Sequence, residues 1–415
     1  MEDGKNLDSH ISLALDIGMR MLVCGAQISR VEDSIGRICK ALGAVETHVF
    51  SVTSGIIVTA FDSKGNSATQ LRRIHSGSLD LTRLEKLNQL SRDICANRIT
   101  DAEIPAQLEK ISKETGRPLW MMALVYALIS GSLSIFFGAP WTDGLCAACT
   151  GVILCLLEHW MKKINLDHVF TVFLVSLLTG LCNAALVKLG LGMRYDAISI
   201  GNIMLLIPGI AMTNAVHDMF VDDMLSGVSR FFRSLVIAFL VAFGFTVAGT
   251  GIKNTDWIDP VLQTIMGAWG SLGFALLFRV RGKLLIFAFL GGLLSWGTYC
   301  IADLFVDHEA LQYLIATTAL TLYSEAFARI LKCPSTILLV TGWIPLIPGG
   351  ALYYSISALV QSNMALFVDR ILHTFLLMIA MSAGMLLAMT VVHFITPLRP
   401  HRKQEKQHNH NHKYQ

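Results

Sequence analysis

The chain has 415 residues, 53% of them hydrophobic and only 15% charged, with a net charge of +3. That is too apolar for one water-solvated fold, so lipid must be the solvent for much of it. The small, dispersed charge excludes nucleic acid as a partner, and nine scattered cysteines give no disulfide framework.

The first ten residues are polar, without the apolar core of a signal peptide. Ile11, Leu15, Gly18 and Leu22 recur at helical spacing, as do Val31, Ile35, Ile38 and Leu42. Two amphipathic helices separated at Gly25 follow from that period. Ser29-Arg-Val-Glu32 has the form of a capping box opening the second helix. β-like runs at 45–51, 56–61 and 67–74 are joined by Thr53-Ser-Gly55 and Asp62-Ser-Lys-Gly-Asn66, which predicts a meander. Two more helices are expected over roughly 80–96 and 100–115, with Thr100-Asp-Ala-Glu103 as a second capping box. Residues 1–117 therefore read as a small soluble α+β domain.

Ten apolar runs follow, at roughly 119–138, 145–160, 169–189, 198–215, 235–248, 261–278, 284–304, 311–331, 337–359 and 371–395. About 20 residues cross the hydrocarbon, so the second and fifth runs are short for spans. Cys146-Ala-Ala-Cys149 has the form of a redox motif, but inside a span it reads as packing. Lys162, Lys163, Arg230, Arg233, Arg279, Arg281, Lys283, Arg329 and Lys332 occupy alternate loops. Only Lys188, Arg194, Lys253 and Arg370 occupy the others, nine against four. By the positive-inside bias both termini are cytoplasmic.

Two stretches organise this array: Asn202 to Asn214 and Gly342 to Tyr354. Each holds Leu-Ile-Pro-Gly followed by Ala two residues later, at Leu206 to Ala211 and Leu346 to Ala351. Proline removes a backbone donor and clashes with the preceding turn, so Pro-Gly breaks a helix. In lipid such a break survives only where protein or a watery cavity surrounds it. Pro208, Pro345 and Pro348 are the prolines deep inside runs, and all belong to this element. The breaks fall in the fourth and ninth runs, the same position in two sets of five. An odd set size turns the second set upside down, as in many secondary carriers. The fold class expected is mainly α: about ten transmembrane helices in two inverted five-helix repeats, 118–255 and 256–397, after the α+β domain. A polar His-rich tail, 398–415, is expected to be disordered. The plainer alternative is two independently kinked packing helices.

Gly25-Ala-Gln-Ile-Ser-Arg-Val-Glu-Asp-Ser-Ile35 and Asn88-Gln-Leu-Ser-Arg92 resemble the N-terminal region of the threonine/serine exporter (ThrE) family. Glu325-Ala-Phe-Ala-Arg329, Pro334 and Ile344-Pro-Leu-Ile-Pro-Gly349 resemble its C-terminal part. In some bacteria the two parts are separate proteins, one such pair being described as a succinate exporter, and this chain resembles the fused form. The resemblance implies a bacterial inner-membrane exporter of small polar metabolites driven by an ion gradient. The substrate class, threonine, serine or a dicarboxylate, comes from the resemblance alone.

A carrier of such substrates must bind a carboxylate away from bulk water, and helix N-termini exposed by a break suit that task. Pro208, Gly209 and Ile210, and Pro345, Pro348, Gly349 and Gly350, are the candidate backbone positions. Asn202, Thr213 and Asn214 flank the first break, and Tyr353, Tyr354 and Ser355 the second, as side-chain candidates. Helix–helix hydrogen bonding explains each of them equally well. Glu325 lies inside a span with Arg329 one turn on, which fits either an ion pair or a proton-coupling carboxylate. Asn183 and His373 are lesser candidates. Asp218, Asp222 and Asp223 read as a solvated loop or an entry gate. Arg30, Glu32, Asp33, Asn88 and Arg92 suit docking or regulation. No nucleophile elbow, Gly-rich phosphate loop, Walker A pattern or spaced metal ligands occur, so no cofactor, no metal and no direct ATP drive are expected. His408, His410 and His412 of the tail suit a solvated basic segment near anionic lipid better than a metal site. The expected partners are a small-molecule substrate and membrane lipid, with a homo-oligomer left open. The competing functions are a membrane-anchored, hydrolase-like enzyme using the N-terminal domain and a passive metabolite channel.

Overall fold

The computed structural model describes residues 2–74, 77, 79–113, 116–164, 168–221, 223–249 and 259–395, so the expectations for Asp222, Lys253 and the tail lie outside the described residues. The chain opens with α1 (Glu2–Val23) and α2 (Ile28–Ala41), joined at Gly25, whose φ of +96° is open to glycine at little strain. An antiparallel meander follows, β1 (Glu46–Val52), β2 (Gly55–Phe61) and β3 (Ser67–Arg73), in that spatial order. Thr53 and Ser54 form the tight first turn, and Asp62 Oδ1 holds the second by accepting from the Lys64 and Asn66 amides, both at 2.8 Å. Ile56, Val58 and Ala60 alternate inward on β2 and meet Ile11, Leu15, Ile35 and Ile38, all fully buried. α3 (Leu81–Cys95) and α4 (Ile104–Ser112) complete this part.

Two of its local signals work differently from the sequence reading. α2 begins at Ile28 with Gln27 as its unbonded cap, so Ser29 is already inside the helix and no capping box forms. Glu32 turns instead to the sheet, accepting from the Ser51 amide at 2.7 Å. α4 begins at Ile104, later than expected, although Glu103 does reach back to the Thr100 amide at 3.0 Å.

The apolar part comprises α5 (Leu119–Phe136), α6 (Trp141–Lys163), α7 (His168–Lys188), α8 (Tyr195–Leu206), α9 (Gly209–Phe220), α10 (Met224–Ala248), α11 (Pro260–Leu277), α12 (Leu284–Asp303), α13 (Glu309–Leu331), α14 (Ser335–Gly342), α15 (Gly349–Val360) and α16 (Met364–Ile395). Among the described residues eight of these are long and apolar enough to cross a membrane, and α8 with α9, bent by 53°, makes a ninth candidate. The protein is thus a mainly α, polytopic membrane protein. α6 and α10, expected to be the shortest, are 23 and 25 residues long. Their polar ends, with Asp143, Lys162, Arg230 and Arg233, stay helical because charge at a helix end breaks no backbone hydrogen bond.

The fourth and ninth runs are pairs of short helices. Ile207 precedes a proline and takes an extended conformation (φ −66°, ψ 128°), which ends α8. Pro208 (φ −80°, ψ 47°) then opens α9, and Pro348 (φ −76°, ψ 46°) opens α15 with nearly the same backbone. In the second case α14 has eight residues and a six-residue turn, 343–348, carries both prolines.

Packing recurs between the two sets. α5 lies on α6 and α11 on α12; α7 lies on α10 and α13 on α16; α8 touches α5, α6 and α7, as α14 touches α11, α12 and α13. At Gly151 an added methyl would meet Ser130, and at Gly292 it would meet Ser271, so the two helix pairs close on the same small-residue contact. Across the sets α5 meets α11, α9 meets α16 and α10 meets α15. Arg230 and Arg370 each follow the Pro-Gly glycine by the same interval, as do Met224 and Met364.

The N-terminal part is attached to the second set. Leu81 N donates to Phe278 O at 3.1 Å, Arg279 pairs with Asp80 at 2.8 Å, and Thr82 donates to Arg279 O. Arg117 spans the carbonyls of Leu276 and Val280, the latter at 2.7 Å. One hydrophobic cluster runs from α1–α4 to Ala275, Val280, Ala288, Ala328 and Ile337.

Candidate functional site

The two breaks meet. A side chain at Gly209 would collide with Ile347, and one at Gly349 would lie 2.7 Å from the Met204 sulfur. Gly209 is thus held by the branched side chain of the other break, whereas at Gly349 the flexible Met204 thioether can swing aside, and the crossing is closed. Gly350 is held as tightly, 2.9 Å from the Phe137 ring by the same measure, and Pro345 sits apart, against Gly267 of α11. The first intrahelical bonds of α9 and α15 are Met212 N to Pro208 O and Leu352 N to Pro348 O, both 3.0 Å. The preceding amides at each end are free of intrahelical acceptors, which concentrates partial positive charge from both halves near one point. Gly349 N is the exception, bonding back to Ile347 O at 2.7 Å.

A fully buried polar nest lies beside this point. Asn202 Nδ2 donates to Thr150 Oγ1 at 2.7 Å and approaches Asn183 Oδ1 at 3.4 Å, while Asn183 Nδ2 donates to Ser199 Oγ at 3.0 Å. Asn202 stands six residues before Pro208, about 9 Å along the helix. Among the described residues its Oδ1 and the hydroxyls of Ser130 and Thr179 have no hydrogen-bond partner. In the second set the Ser271, Thr317 and Ser324 hydroxyls and the Trp296 and Trp343 indole nitrogens are equally unpartnered. Leaving a buried donor or acceptor unmatched costs about 1–3 kcal/mol, so such a concentration calls for a reason.

Several candidates prove to serve the backbone. Thr213 donates to Gly209 O at 3.1 Å and Ser355 to Ala351 O at 2.7 Å. Asn214 is half-buried on α9, and Tyr353 is buried on α15, its ring tilted 55° to that of Tyr354 at 5.3 Å. Arg370 lies over the Tyr354 ring at 5.8 Å. His373, in the third turn of α16, pairs at 2.9 Å with Glu309, the first residue of α13. Two buried carboxylates escaped the sequence reading. Asp143 accepts from the Met193 and Arg194 amides at 2.7 and 3.2 Å, and Asp196 pairs with Arg194 at 3.3 Å. Treating only residues 145–160 as the second run placed Asp143 in a loop and hid it.

At the opposite helix ends Glu325 stands between Arg329 and Arg30, at 3.7 and 3.9 Å, and Arg30 also donates to Ser335 at 3.1 Å. Asp218 is buried and pairs with Arg230 at 2.9 Å, so it is no solvated loop residue. Asp33 pairs with Arg37, Asn88 donates to Leu84 O, and Arg92 bonds Gln89, all local contacts. Of the N-terminal motif residues, Arg30 makes the direct bonds to the apolar part.

The ThrE family model, described as "Putative threonine/serine exporter", matches residues 12–252, and a second, "Threonine/Serine exporter, ThrE", matches 263–391. The division falls between α10 and α11. A threonine/serine exporter of Corynebacterium glutamicum is 23% identical over 380 residues, 85% of this chain and 76% of that protein. A protein named probable succinate transporter subunit YjjP, from Escherichia coli, is 22% identical over 253 residues, 59% of this chain and 96% of that protein. Its namesake in Klebsiella aerogenes is 20% identical over 251 residues, covering 59% and 95%. No solved structure matches.

Proposed function

Because the chain belongs to the threonine/serine exporter family, we propose that it is a secondary active exporter of threonine, serine or a related small organic acid such as succinate across the bacterial inner membrane. By family it is a transporter and not an enzyme. The observation that carries the reading is the meeting of two helix N-termini, one from each set, beside the buried Asn202–Asn183 nest. The amides of Gly209, Ile210 and Gly350 receive the substrate carboxylate, while Asn202 and its neighbours take the hydroxyl or amine. Rocking one set against the other about this crossing exposes the substrate to alternate sides.

The architecture behind it is two inverted repeats, 118–255 and 256–397, after a cytoplasmic domain, 1–117, and before a tail, 398–415. The matching Pro208 and Pro348 dihedrals, the recurrent packing and the equal spacing to Arg230 and Arg370 support this. Cytoplasmic termini are supported by the attachment of the N-terminal part to the Arg279 and Ser335 loops, which the charge bias places inside. Glu325 is assigned to the ion pair with Arg329 and Arg30 rather than to proton coupling.

Inverted membrane vesicles loaded by an imposed proton gradient test the function. Labelled threonine, serine or succinate should accumulate saturably, and a protonophore should abolish it. Flux that ignores the gradient and never saturates would replace the carrier by a channel.

A further inference from the structure

Between the end of α1, the β1–β2 turn and the first half of α10 lies a cavity of about 370 Å³. It is remote from the breaks and plays no part in the transport reading. Arg230 and Arg233, one turn apart on α10, reach it together with Ser229. Thr53 and Ser54 of the β1–β2 turn face them from the other wall. Among the described residues no carboxylate lines the cavity. Arg230 is partly neutralised by Asp218 at 2.9 Å, whereas among the described residues Arg233 makes no ion pair. Large apolar side chains are exposed along α10 on both sides of the cavity, Met224 and Leu225 before it and Phe232 and Val236 around Arg233, at 61% and 53% for the last two. A lipid headgroup lying against that face reaches Arg233.

We propose that this cavity binds a phosphate-bearing anion and that the bound anion pins the β1–β2 hairpin to α10. Arg233 supplies an unshared guanidinium fork of the charge and bidentate geometry that phosphate oxygens take, Arg230 adds the donors that Asp218 leaves open, and three hydroxyls supply neutral donors. The phosphate has two sources, an anionic phospholipid of the cytoplasmic leaflet or a soluble phosphate compound, and both present the same oxygens to the same side chains. Occupancy ties the N-terminal part to the first set as Arg279 and Arg117 tie it to the second.

The full chain in phosphatidylcholine nanodiscs tests this by thermal unfolding, first against inorganic phosphate and then with a quarter of the lipid replaced by phosphatidylglycerol. Stabilisation by phosphate identifies the soluble source; stabilisation by phosphatidylglycerol alone identifies the lipid. In either case Arg233→Gln should weaken the response about tenfold or more, since a charged hydrogen bond is lost, and Ser54→Ala should weaken it less. Lys163→Gln, an exposed cation at the end of α6, should respond as the parent does. The proposal fails if neither probe stabilises the parent, if Arg233→Gln responds normally, or if Lys163→Gln loses as much, which would mean diffuse surface charge.

Discussion

Glu32 accepts the Ser51 amide at 2.7 Å, but burial, helped by the nearby Asp223 carboxylate, raises its pKa above the ordinary glutamate value. Its charged form is thus less welcome in the folded chain than in the unfolded one. Stability from this group is complete below the unfolded pKa and is lost as pH rises through the folded value. Glu32→Gln keeps a carbonyl oxygen for the Ser51 amide and removes the charge. Its unfolding temperature should equal the parent's in the acid range and exceed it increasingly toward neutrality. A difference that does not change with pH would mean that the carboxylate is under no strain.

Pro208 and Pro348 act at the scale of the element. Proline disfavours a continuous helix by about 3 kcal/mol, and leucine at either position removes that opposition to joining the two pieces. Pro208→Leu should straighten the 53° bend between α8 and α9, pull the free amides into the ladder and retract Gly209 from Ile347. Insertion into the membrane should persist while transport falls about tenfold or more in both variants; parental flux at parental protein levels would refute the role of the bends. These breaks were legible because Pro-Gly is a backbone instruction that no packing partner can cancel. The meander was legible too, since Ile56, Val58 and Ala60 alternate cleanly between turn residues. Span lengths were not, because apolarity tracks the lipid slab while hydrogen bonding lets α6 and α10 run on through Lys162 and Arg230. The polar nest was half legible. Asn202 and Asn183 stand out in apolar runs, but their meeting depends on how α7 and α8 pack, which no local pattern encodes.

At the scale of the whole molecule, the N-terminal part is fastened by backbone carbonyls of the second set as much as by charges. Arg117 bridges Leu276, a last-turn carbonyl of α11, and Val280, and takes no part in capping α3, so Arg117→Ala loosens the joint while α3 keeps its own Asp80 cap. Hydrogen exchange across α3 and α4 should quicken in that variant, by on the order of 1–3 kcal/mol of lost protection, while α5–α16 exchange as before. Unchanged exchange in α3 would place the attachment in the hydrophobic cluster alone.

The crossed contacts of α9 with α16 and α10 with α15 carry one more consequence. Each bent segment is braced by the closing rod of its own half and, less extensively, by that of the opposite half. A chain severed between α10 and α11 therefore yields two pieces whose bends regain their full bracing only when the pieces clasp each other.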